Sequence, residues 1–480
     1  MVKRALILPL ILALGATAGG AQTHGEWEVS LKPVHYSLDL SIDYVAKKIH
    51  GRCVLKVVNA SDRPTASVPL ILYRLLKVTS AREAGGRPLA FRQNVVSFED
   101  WETLQTNFVE VDLGAPLSPG RTLALELDYE GYILGYSETG MLYVKDRVDE
   151  AYTMIRTDAL AYPEVGYPSW KVNTAAGLPA FTYDVRATAP KDLVVANGGR
   201  LLGVTVEGDS ATTSYESLKP SWRMDIALAK FRLVEDRERN LRVFSLDATE
   251  AETRLVLDAV SRSMALYTTW FGPLRGESGF TIIEMPADYG GQADATCILL
   301  TPDAFKDKGR LHSFYHEVSH LWNVKALDPQ PSRFESEGLA TFLEYLVQEK
   351  LEGRTDALSL AETKVLAWLR DDLVKKPEAA RTAMIDFGKA DLTDLSYTKG
   401  MIFFDLLYQL MGEKEFLAAL ASFIHTYAET GATSQQFIDH LAAHSSVKLD
   451  KLFGEWVTGS ASSRYVLDRV LFGEILKHYP

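Results

Sequence analysis

His316-Glu317-Val318-Ser319-His320, with sixteen residues between His320 and Glu337 of Ser336-Glu337-Gly338, is the stretch that decides how this chain reads. On a helix, side chains four residues apart project from one face, one turn from each other. Two imidazoles so placed can hold one zinc ion, and a carboxylate from a neighbouring helix completes an open three-ligand site with a fourth position left for water. Glu317, beside the first histidine, stands where a general base takes a proton from that water. The implied ligands are His316, His320 and Glu337, with one Zn2+ per chain. Glu335, two residues earlier, is a rival ligand. Tyr397 in Ser396-Tyr397-Thr398-Lys399-Gly400 is a candidate donor to an oxyanion. The chemistry these residues suit is metal-assisted hydrolysis, and peptides are the expected substrates.

Working outward, the periodicity on either side of the motif differs. Tyr36, Leu38, Leu40 and Ile42 alternate with Ser37, Asp39, Ser41 and Asp43; Ile49 to Val57 and Leu123 to Tyr129 alternate likewise. Such period-two runs mark half-buried antiparallel strands, and residues 24–235 are expected to form an all-β domain of two packed sheets. Near residue 249 the period lengthens. Thr249 can cap a helix whose first turn holds Glu250 and Glu252. Helices are then expected at about 249–271, 309–325, 333–352, 358–375, 396–411, 414–427 and 434–444, with a short strand region from Phe280 to Leu300 between the first two. Residues 236–460 are thus expected to be a mainly helical α+β domain, and 461–480 a short tail.

The chain has 480 residues and 47% hydrophobic content, enough for two or three cored domains. It opens with Met1-Val2-Lys3-Arg4, an apolar run from Ala5 to Ala16, and Gly19-Gly20-Ala21. This is the pattern of a secretory signal with cleavage after Ala21, directing the chain to the periplasm or outside the cell. About twelve apolar residues are too few to span a bilayer, and no later stretch reads as a membrane span in the mature chain. Loss of Lys3 and Arg4 leaves 49 basic against 63 acidic residues, a net charge of −14. That balance argues against nucleic acid as a partner. Cys53 and Cys297 are the two cysteines; each lies in an apolar strand-like run of what reads as a different domain, so two buried free thiols are expected.

The motif His316 to Trp322, with Ser336-Glu337-Gly338, resembles the aminopeptidase N family of zinc metallopeptidases. The resemblance extends to Phe271-Gly272-Pro273-Leu274, to Tyr397-Thr398-Lys399-Gly400 and to Leu452-Phe453-Gly454-Glu455-Trp456. It implies a multidomain fold: an N-terminal all-β saddle-like domain followed by an α+β, thermolysin-like, mainly helical catalytic domain. It also implies zinc on His316, His320 and Glu337, Glu317 as base, and transition-state stabilisation by Tyr397. Substrate would lie along Gly290, Gly291 and Gln292 by main-chain hydrogen bonds.

The chain departs from that pattern where the family holds a peptide's free amine. The family's strand glutamate falls at Ala293, with Asp294 one position along, and a second amine-binding glutamate is replaced near Ile155 and Arg156. Arg156 in the cleft would repel an ammonium and pair with a carboxylate; pointing to solvent is its other reading. Peptidase chemistry is therefore expected with altered end recognition, aminopeptidase-like or endopeptidase. Trp322-Asn323-Val324-Lys325 also suits glycyl aminopeptidases. The sequence ends without the helical domain that closes larger relatives, so an open cleft is expected. A non-catalytic peptide-binding scaffold is the alternative from another class; Glu317 weighs against it, since a retired site needs no base.

Overall fold

The computed structural model describes residues 27–175, 179–274, 279–289, 291–294 and 296–479. The expected signal, residues 1–21, lies outside them. The chain forms two compact units, one made of residues up to Thr253 together with 276–306, the other of 254–275 and 307–480.

In the first unit the alternating segments become strands as their period requires. Leu31–Asp43 pairs antiparallel with Lys48–Asn59, Leu38 opposite Cys53 and Ile42 opposite Ile49, and runs parallel to Thr182–Pro190. They lie within a seven-stranded sheet whose other members are Arg200–Glu207, Ser210–Glu216, Thr122–Gly131 and Leu76–Glu83. A four-stranded sheet of Phe91–Phe98, Trp101–Leu117, Thr65–Tyr73 and Glu164–Val165 supplies the facing apolar side chains. Leu38, Leu40, Leu55, Leu125 and Leu127 share one buried core with Val68, Leu70, Leu72, Val109 and Val111. The N-terminal all-β architecture is therefore as the sequence predicts.

The boundary is not. The strand region around Phe280–Glu284 and Cys297–Leu300 joins Arg232–Asp236 and Leu241–Ser245 in a five-stranded sheet, and this sheet belongs to the first unit. The reason is a shared core: Phe244, Ile283, Cys297 and Leu299 pack with Met154, Ala196, Ala227 and Phe231. A break at 235/236 would expose that face to water. Cys53 and Cys297 are both buried free thiols, as expected, but in one unit rather than two.

The second unit is helical. Thr249 does cap Glu250–Phe271: its Oγ1 accepts from the Glu252 amide while the Glu252 carboxylate accepts from the Thr249 amide. Helices follow at Leu311–Ser319, Leu339–Glu352, Ala357–Lys375, Leu395–Met411, Glu413–Tyr427 and Ser434–Ala443. Leu395–Met411 is buried almost all round, so it forms the centre of the unit rather than an amphipathic wall. Residues 461–480 are no loose tail. Short helices Ser463–Leu467 and Phe472–Leu476 fold back, and the buried Tyr479 hydroxyl meets Trp456 Nε1 and Glu455. No helix among the described residues is long and apolar enough to cross a membrane.

Candidate metal centre

The motif lies on Leu311–Ser319, which tightens into a last narrow turn, His320–Trp322. Its apolar side buries Phe314, Tyr315 and Val318. Two hydrogen bonds fix it against the helix that ends at Phe271: the Tyr267 hydroxyl donates to Tyr315 O at 2.9 Å, and Trp322 Nε1 donates to Gly272 O at 2.9 Å. Gly272 has φ +87°, the left-handed conformation that ends a helix with glycine. The Phe-Gly signature thus ends one helix and anchors the next.

Glu337 sits in a single wide π turn, Phe334–Gly338, that opens into Leu339–Glu352. Such turns re-aim side chains and recur at functional sites. Gly338 explains the neighbouring residue types. A Cβ added there would lie 2.7 Å from the Gly400 Cα and 2.8 Å from Ser396 O. Only paired glycines let the Glu337 turn and the Tyr397 helix cross this closely. The crossing brings the Tyr397 ring parallel to the His316 ring, centroids 6.0 Å apart.

The expected ligand atoms converge. His316, His320 and Glu337 each offer one atom within 4.8 Å of the others. Nε2 of His316 is 3.3 Å and Nε2 of His320 3.5 Å from the same oxygen, Glu337 Oε2. Both imidazoles are oriented from behind. Glu344 Oε2 lies 3.0 Å from His316 Nδ1, and its Oε1 3.1 Å from Nδ1 of His312. The Asn323 side-chain nitrogen Nδ2 lies 2.9 Å from His320 Nδ1. With Glu344 accepting its Nδ1 proton, His316 keeps a lone pair at Nε2, the tautomer a metal needs.

The electrostatics fit a cation. Burial pushes the Glu317 carboxyl upward, partly opposed by His316 and His320. Burial would also raise Glu337, but His320, His316 and Arg333 hold it well below the usual carboxylate range. Glu344 is likewise lowered, to about 2, because His312 and His316 outweigh burial. Burial would lower His316, yet Glu337 and Glu344 raise it well above an ordinary imidazole. A buried spot that favours positive charge this strongly, faced by two imidazole nitrogens and one carboxylate oxygen, has the donor set of zinc.

The rival ligand is elsewhere. Glu335 interacts with Ser434 and Asp328, and burial raises it to about 7. It lines a small apolar cavity with Leu339, Leu343, Phe423 and Phe437.

The predicted substrate residues belong to the first unit. Gly290 lies outside the described residues. Gly291 precedes the two-residue strand Gln292–Ala293, an edge of the five-stranded sheet paired to Leu299 and Ile298. Asp294 is engaged locally: its carboxylate accepts from the Thr296 and Cys297 amides and from Ser221 Oγ. Arg156 requires correction, since it neither enters a cleft nor reaches solvent. It is fully buried, with Nε on Asp146 Oδ1 at 2.9 Å and Nη2 on Asp146 Oδ2 at 3.0 Å. A guanidinium so paired is unavailable to a substrate carboxylate.

Three residues at the centre escaped the sequence reading: Glu344, Asn323 and Arg333. Glu344 had a signal. It follows Glu337 by seven residues, two helical turns, so both carboxylates face the motif helix.

Residues 295–456 match the Peptidase family M1 domain. That match covers about a third of the chain. The aminopeptidase N resemblance is thereby borne out, and curated relatives agree. Aminopeptidase M1-B of Oryza sativa subsp. japonica is 22% identical over 88% of this chain and 49% of its own length. Probable aminopeptidase 2 of Sulfurisphaera tokodaii is 20% identical over 70% of this chain and 44% of its own. The chain thus spans about half the length of the curated relatives it matches. Among solved structures, the M1 zinc metallopeptidase from Deinococcus radiodurans aligns with TM-score 0.60 and 18% identity over 92% of this chain and 93% of that one. A mutant of that enzyme bound to a Tyr-Ser-Ala substrate aligns with TM-score 0.62 and 18% identity over 91% and 94%. These likenesses establish the two-domain fold: β-rich first, helical second.

Proposed function

We propose that the chain is a secreted or periplasmic zinc metallopeptidase, aminopeptidase-like, with altered recognition of the substrate's N-terminus. The observation that carries this reading is the convergence of His316 Nε2, His320 Nε2 and Glu337 Oε2. His316, His320 and Glu337 would hold a zinc ion, which would supply Lewis-acid activation and bring the pKa of a water down toward neutrality. Glu317 would take the proton of a water attacking the scissile carbonyl carbon and deliver it to the departing amine. Its raised affinity for a proton suits both halves of that task. Tyr397 donates its phenolic proton in a hydrogen bond to the carbonyl oxygen as charge develops there. The substrate backbone would bind by main-chain hydrogen bonds along Gly290, Gly291 and Gln292.

Altered end recognition is supported by the first unit. The position aligned with the family's amine-binding glutamate is Ala293, Asp294 is engaged by the Thr296 and Cys297 amides and by Ser221, and Arg156 is paired with Asp146. A free ammonium therefore meets no available carboxylate at those positions, and this favours endopeptidase action as the second reading. The leader at residues 1–21 is the basis for export.

The test is a mixed peptide library incubated with the protein, with and without a chelator, and with Glu317→Gln. Chelator-sensitive release of single N-terminal residues supports the aminopeptidase form, and internal cuts the endopeptidase form. Glu317→Gln is expected to lower kcat at least 10²-fold while zinc stays bound. Cleavage equal in wild type and Glu317→Gln contradicts the reading and leaves a scaffold.

A further inference from the structure

The residue that opens the Glu337 turn is in the wrong conformation for its type. Arg333 has φ +73° and ψ +5°, the left-handed region that glycine and asparagine favour. An arginine there costs roughly 1 kcal/mol, and such a cost persists where the surroundings over-determine the backbone. They do so here. Ser332 Oγ donates to Met384 O, and Ser396 Oγ donates to Ser332 O, all within the core. The 330–331 backbone lies against Gly388, where an added Cβ would be 2.2 Å from Gln330 O. The Arg333 carbonyl then accepts from the Glu337 amide at 2.8 Å.

This backbone aims the side chain back over the centre. Arg333 Nη2 donates to Glu337 Oε1, while the other oxygen, Oε2, faces both imidazoles. The guanidinium also lies near the Tyr397 phenol, which in turn lies near Glu337. The two carboxylate oxygens are thus divided, one to a fixed cation and one to the metal position.

We propose that Arg333 is a positioning residue of the metal centre: it holds Glu337 by one oxygen so that the other alone serves the metal, and it places a permanent cation at the Tyr397 hydroxyl. The inference rests on the zinc reading above. Asparagine or lysine could not do the same work, because only a planar fork reaches a carboxylate and a phenol together. A cation beside the phenolic oxygen makes its O–H a stronger donor to a developing oxyanion.

The test uses Arg333→Gly and Arg333→Lys in the full chain. Glycine accepts φ +73° without strain, so Arg333→Gly should melt at or above the wild-type temperature when metal-free. Its zinc affinity, measured by competition with a chromogenic chelator, should fall 10- to 100-fold. At saturating zinc, kcat should fall with KM little changed. Arg333→Lys should recover part of the zinc affinity and little of kcat. The proposal is overturned if Arg333→Gly binds zinc within about threefold of wild type, whatever its melting temperature. It is equally overturned if zinc binds tighter, which would mean the guanidinium only repels the metal. Absence of zinc in the wild type would remove the underlying reading itself, an outcome distinct from both.

Discussion

Each compact unit buries a cluster of charged side chains, and the two are built on opposite plans. In the first, Arg156 and Arg223 sit among Asp146, Asp158 and Asp225, all within hydrogen-bonding distance of an arginine and nearly all buried. Two permanent cations turn their forked donors onto the three carboxylates, which fixes both sets of charges in place. In the second, the carboxylates of Glu337 and Glu344 face imidazoles instead. Imidazoles present lone pairs as readily as protons, and here two of them converge with a carboxylate oxygen on one point. Buried charge alone therefore does not mark a functional centre; what marks it is whether the cations are fixed or exchangeable.

The difference can be broken from either side. Asp146→Ala strips Arg156 of its bidentate partner inside the core. Stability to urea should fall by about 3–5 kcal/mol, with zinc affinity unchanged; a variant as stable as wild type would mean that Asp158 alone suffices. Glu344→Gln should do the reverse. It leaves the helix packed but removes the charge behind His316 and leaves one accepting oxygen for two rings, and zinc affinity by chelator competition should drop 10- to 100-fold with little change in melting. Equal zinc affinity would reduce Glu344 to a packing residue.

A third buried charge, Lys399, follows neither plan. Its Nζ has no hydrogen-bond partner among the described residues and lies 5.3 Å from the Phe387 ring centroid. Burial pushes its pKa down from 10.5 to about 8. With the folded value below the unfolded one, the unfolded chain binds more protons between those pH values. Stability should therefore rise with pH from about 8 to 10.5. Lys399→Met should stabilise the protein at pH 7 by about 1–2 kcal/mol and flatten that rise. Urea titrations at pH 7 and pH 10 read both effects, and a less stable variant at pH 7 would show that the ammonium has a partner.

Much of this architecture was legible in the sequence. The period-two runs became strands, and each expected helix from 249 to 444 formed close to its predicted limits, because packing and local pattern agree there. His316, Glu317, His320 and Glu337 were readable because metal chemistry dictates both residue type and spacing. What stayed hidden depended on partners distant in sequence or on unusual backbone. Arg156 read as a cleft or solvent-facing residue because nothing local reveals Asp146 closing on it. The domain boundary slipped because strands 280–300 complete a core begun near residue 154. Arg333 was silent because a left-handed arginine leaves no pattern; only the fold around Ser332, Ser396 and Gly388 imposes it.

The central claim is one zinc ion held by His316, His320 and Glu337. Metal analysis of purified wild type beside His316→Ala and Glu337→Ala tests it most directly. The account predicts one equivalent of zinc in the wild type and its loss in both variants, with each variant still folded. Wild-type protein free of zinc under loading conditions, or variants that keep a full equivalent, would contradict it.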